Sequence, residues 1–94
     1  MFLILLKYKK PLEIVNEHLK DHRAFLQQGY DKNFFIVSGP KKSREGGVIL
    51  SQLKDKNELM SILDQDPFNI YDIADYEISE FDPVKFHPDF SCFI

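Results

Sequence analysis

The sequence predicts an α+β fold whose elements run β-α-β-β-α-β. Three observations lead there. Residues 1–8 and 34–38 are strand-like and apolar on both faces, residues 12–28 form one long amphipathic stretch, and Gly, Pro and Asp breaks separate the segments. That order describes a ferredoxin-like βαββαβ sandwich, with two helices on one face of a four-stranded antiparallel sheet.

In residues 1–8, Phe2, Ile4, Leu6 and Tyr8 fall on one side and Leu3 and Leu5 on the other. A strand apolar on both faces needs cover on both, and the helices of so short a chain cover only one. A homodimer through the open sheet face is therefore expected. Lys9-Lys10-Pro11 breaks the strand, and Pro11 suits the start of a helix. At 100° per residue, residues 12–28 gather Leu12, Ile14, Val15, Leu19, Phe25 and Leu26 on one half, with the charged and amide side chains opposite. His18 and His22 fall in the middle of the apolar half. Gly29 is expected as the C′ residue of this helix, and Tyr30 to Asn33 as a turn.

Phe34 to Ser38 reads as the second strand, ended by Gly39-Pro40. The charged loop 41–47 leads to a third strand, 48–53, in an antiparallel hairpin. Residues 54–63 read as a shorter helix with Asp55 as N-cap. Asp66 before Pro67 suits the N-cap of a short turn over 67–71, and 76–81 is the last strand. The chain is expected to be a single domain, 1–94, with its core in about 1–82 and an irregular tail over 83–94.

Composition narrows the function. With 44% apolar and 29% charged residues the chain is of ordinary globular type, and its net charge of −3 argues against a nucleic-acid partner. The apolar run Met1 to Leu6 is too short for a membrane span or a signal segment. Cys92 is the only cysteine, so no intrachain disulfide forms, which fits a reducing, cytoplasmic setting. Its place as the third-last residue of the sequence does not suit a fixed nucleophile.

Chemistry is expected where the histidines sit. The plain role of His22 is a core histidine bonded to a backbone carbonyl. Its chemical role requires a carboxylate to fix the tautomer and leave the other ring nitrogen to move protons. Asp66 is the candidate carboxylate. Its plain role is the helix cap, and the two roles are compatible. His18, one turn before His22, has a spacing that zinc accepts, but no third ligand is evident, so no metal is expected. His18 is assigned instead to the lining or edge of a pocket. Ser38 at a strand end suits a ligand hydrogen bond better than nucleophilic attack. Lys41, Lys42 and Arg44 read as a solvated charged loop, with attraction of an anionic substrate as the alternative role. Gly46 and Gly47 are assigned to the turn, since no phosphate-loop pattern surrounds them, and no cofactor is expected.

Taken together, His22 with Leu26 on the first helix, Ser38-Gly39-Pro40 ending the second strand, the Gly46-Gly47 loop and Asp66-Pro67-Phe68 resemble the YCII-related (YciI-like) domain family over about residues 1–82. The resemblance implies a dimeric α/β barrel of ferredoxin-like protomers with His22 and Asp66 as a catalytic dyad. His18, Ser38, Gly39, Pro40 and Phe68 are expected to lie at the substrate. The implied function is lyase-, dehalogenase- or isomerase-like acid/base chemistry on a small cyclic compound. The alternative is a non-catalytic dimeric module that binds a small ligand.

Overall fold

Strand β1 (Phe2–Tyr8) is the axis of the molecule. In a computed structural model describing residues 1–94, it lies between β3 (Gly46–Ser51) and β4 (Ala74–Glu80), with β2 (Phe35–Pro40) outside β3. The sheet order is β2-β3-β1-β4 and every pairing is antiparallel. Between β1 and β2 run α1 (Leu12–Glu17) and α2 (Leu19–Asp31). Between β3 and β4 run α3 (Lys56–Leu63) and α4 (Pro67–Ile70). The order and pairing are those of a ferredoxin-like sheet with flanking helices.

The α/β barrel implied by the resemblance is not formed. The sheet is open, with β2 and β4 as its two edges and no pairing between them. Closure of a barrel requires more strands, with tilt and stagger matched around the ring.

The core follows from the alternation in β1. Phe2, Ile4 and Leu6 are buried and pack with Val15, Phe35, Ile49, Leu59, Leu63, Phe68, Ile73 and Ala74. On the opposite face Leu3 and Leu5 are half-buried. The register sets Leu3 beside Leu50 and Leu5 beside Val48, and pairs Leu50 with Val37, which is 56% exposed. This face is the apolar side that the helices leave open.

Several local expectations are corrected. The first helical stretch is broken at His18, whose N–H donates to Val15 O in a tight three-residue turn before the chain resumes as α2. Helix α2 runs through Gly29 to Asp31, so Gly29 is not a C′ residue. Its role is close approach: a Cβ there would lie 2.2 Å from the Phe35 ring. Gly46 and Gly47 belong to β3 rather than to the turn, and a Cβ on Gly46 would lie 1.7 Å from Leu6 O. Strand β2 includes Gly39 and Pro40 and carries a bulge between Phe35 and Val37. The tail ends in a 3₁₀ turn, Pro88–Phe93, with Val84 84% exposed. No helix is long and apolar enough to cross a membrane.

Candidate functional site

Helix α2 resumes after the break at His18 and brings His22 to its buried side, 8% exposed. Across from it, Asp66 caps α4, with Pro67 at the first helical turn. Asp66 is completely buried, and its Oδ1 accepts from the Phe68 N–H at 3.0 Å. The same oxygen lies 2.7 Å from His22 Nδ1. Capping and histidine contact thus share one oxygen, because the cap turns the carboxylate edge towards α2. The His22 ring lies flat on Phe68, with centroids 3.9 Å apart and planes 4° from parallel. Hydrogen bond and stack together fix both the position and the plane of the imidazole.

The second carboxylate oxygen is also used. The Tyr76 hydroxyl donates to Asp66 Oδ2 at 2.5 Å. Burial, and then the Asp66 charge and the hydrogen bond to it, push the Tyr76 phenol far above its ordinary value and keep it a donor. Three donors therefore surround one buried carboxylate, and no buried side-chain nitrogen or oxygen lacks a partner. Sequence reading places Tyr76 only in the last strand. The available signal is that a phenol on a core face needs a hydrogen-bond partner.

A carboxylate accepting at Nδ1 selects, for the neutral ring, the tautomer with its proton on Nδ1 and its lone pair on Nε2. His22 lines a cavity of about 250 Å³ between α1, α2 and the β1, β3 and β2 strands. The walls are mainly aliphatic, from Leu6, Leu12, Val15, Leu19, Leu26 and Ile49, and Tyr8 is their one aromatic ring. No phenylalanine lines the cavity: Phe2, Phe35 and Phe68 pack the core instead. An apolar cavity of about 150 Å³ accepts benzene, so this one has room for a substituted ring. Burial pushes the Tyr8 phenol up, and the nearby Arg44 charge opposes the rise.

Of the residues assigned to substrate, Ser38, Gly39 and Pro40 line the cavity with His22. The Ser38 hydroxyl is hydrogen-bonded to Tyr30 OH, two turns along α2 from His22. Phe68 lies behind the imidazole as its stacking partner and does not line the cavity. His18 stacks on Tyr71, with centroids 4.4 Å apart, and also lies outside the lining. The two histidines thus face different partners, and no three His, Cys, Asp or Glu side chains are grouped to hold a metal ion. His87 bonds only within the tail, to the Asp89 N–H.

The sequence pattern of the YCII-related domain matches residues 1–82. No curated protein matches the chain. Among solved structures, the chain is similar to 5-chloro-2-hydroxyhydroquinone dehydrochlorinase from Burkholderia phenoliruptrix in complex with 2,5-dihydroxybenzoquinone. The TM-score is 0.69 at 17% identity, over 87% of this chain and 94% of that one. At that identity the likeness shows a common fold. The domain pattern, spanning nearly the whole sequence and ending two residues past β4, carries more: the chain belongs to the YCII-related domain family.

Proposed function

We propose that this chain is a small-molecule enzyme that moves protons on a cyclic organic substrate, with His22 as general base and acid and Asp66 as its orienting carboxylate. The observation that carries the reading is the 2.7 Å His22–Asp66 contact at the wall of a ring-sized cavity. Asp66 holds the proton on Nδ1 and balances the charge that His22 gains when Nε2 takes a proton. The same base serves elimination or isomerisation: a C–H or O–H bond breaks, its electron pair shifts into the ring system, and His22 returns the proton to the product or to water. In an elimination, the leaving group departs as an anion with its bonding pair. The similar solved structure is named a dehydrochlorinase acting on a hydroxylated ring, which agrees with lyase-like chemistry on this scaffold. Ser38, Gly39 and Pro40 would contact the substrate, while His18 and Phe68 would act from behind or beside it.

The test uses a panel of hydroxylated and chlorinated benzenes in deuterated water, read by deuterium entry at ring carbons and by chloride release. The account expects exchange or turnover that falls by about 10²–10⁴ in His22→Asn, with the fold retained. Undiminished exchange in that variant contradicts it. Saturable binding of panel members with neither exchange nor product would instead favour a ligand-binding module.

The open sheet face supports a further part of this reading, a homodimer through that face. Leu3, Leu5, Val48 and Leu50 form a continuous apolar strip across β1 and β3, of the kind monomers seldom leave to water.

A further inference from the structure

The cavity beside His22 is electrostatically one-sided. Its wall includes Arg23 from α2 and Arg44 from the β2–β3 loop, together with Asn16, and no carboxylate residue. The ion pairs of the chain join Lys9 to Asp72 and Asp75, His22 to Asp66 and His87 to Asp89, leaving both arginines free. Arg44 sits in the turn whose N–H donates to Lys41 O, at a φ of 63°. Its charge is felt at the Tyr8 hydroxyl, on the cavity wall. The remaining walls are mainly aliphatic. A slot with two unpaired guanidinium side chains and otherwise apolar sides matches a flat ring bearing one anionic group.

We propose that the substrate is a ring compound carrying a carboxylate or equivalent anion, which Arg44 and Arg23 hold while the ring lies between the aliphatic walls beside His22. The inference rests on the reading that this cavity is the substrate site and adds the substrate's charge. Because the chain as a whole carries a net charge of −3, recognition of an anion has to come from local positive groups. Two guanidinium groups supply bidentate hydrogen bonds as well as charge, which orients the ring instead of merely attracting it. Lys41 and Lys42, in the same loop but outside the lining, add field without contact.

The test is calorimetric or NMR titration of the purified protein with benzoate and with its neutral isostere benzamide. Benzoate is expected to bind more tightly by about tenfold or more, from charge-assisted hydrogen bonds. Arg44→Gln should remove most of that preference, Arg23→Gln part of it, and Lys42→Gln little. Equal binding of the two probes, no binding of either, or an equal fall in Arg44→Gln and Lys42→Gln overturns the proposal. The exchange assay on the wild-type protein separates the two readings. Benzoate preference in a wild-type protein that shows no deuterium exchange sinks the catalytic role alone. Exchange on neutral rings with no benzoate preference sinks the anion alone.

Discussion

Asp66 meets three donors with two oxygens and is fully removed from water. A carboxylate so buried is tolerable only while those partners are present. Tyr76→Phe keeps the ring and removes one donor, so it should cost about 1–3 kcal/mol, read as a lower urea midpoint with unchanged slope. An unshifted midpoint would mean that Tyr76 does not support the carboxylate. The same bond gives a pH signature. Tyr76 titrates above its unfolded value of about 10, so its stabilisation is whole below that pH and is lost as pH rises beyond it. The unfolded chain gives up the proton first. Alkaline unfolding should therefore coincide with a late step in phenolate absorbance that Tyr76→Phe lacks. Asp66 is legible in the sequence because Asp-Pro is a local signal. Tyr76 is not, because its partner lies ten residues away and meets it only through the fold.

At the scale of elements, alternation and capping carry most of the information. The inward set of β1, the hairpin of β2 and β3, and the caps at Asp55 and Asp66 all follow from short-range pattern. The break at His18 does not, since the apolar half runs through it without interruption. The glycines mislead for a related reason: glycine marks both turns and close approaches, and only the tertiary neighbour distinguishes them. Gly46 tests this. Because a Cβ would collide with Leu6 backbone, Gly46→Ala should force β1 and β3 apart and cost about 3 kcal/mol or more. Gly39 has open space around a Cβ, and Gly39→Ala should change stability by no more than about 0.5 kcal/mol. Thermal unfolding of the two variants side by side decides it, and similar losses in both would refute the close-approach role of Gly46.

Over the whole molecule, the helices bury one face of the sheet and leave the other apolar. The sequence signals that imbalance through Leu3 and Leu5, but the assembly that relieves it is a property of two chains. The account expects sedimentation of a two-copy species, and a shift to single copies in Leu50→Lys, which places a charge at the centre of the strip. A wild-type protein that sediments as one copy at micromolar concentration contradicts the homodimer. The cavity is likewise invisible to local pattern, because its lining comes from α1, α2, three strands and a loop. His22 and Ser38-Gly39-Pro40 are legible as candidates. The convergence of Arg23 and Arg44 on them is not, since one is a helix-surface residue and the other lies in a charged loop.

The most direct measurement of the central claim is the tautomer of the neutral His22 ring, read from its nitrogen-15 shifts in wild type and in Asp66→Ala. The account predicts a proton on Nδ1 and a free lone pair on Nε2 in the wild type, with that preference lost in the variant. A proton on Nε2 in the wild type would mean that Asp66 does not orient the imidazole. His22 would then have no base to offer the cavity.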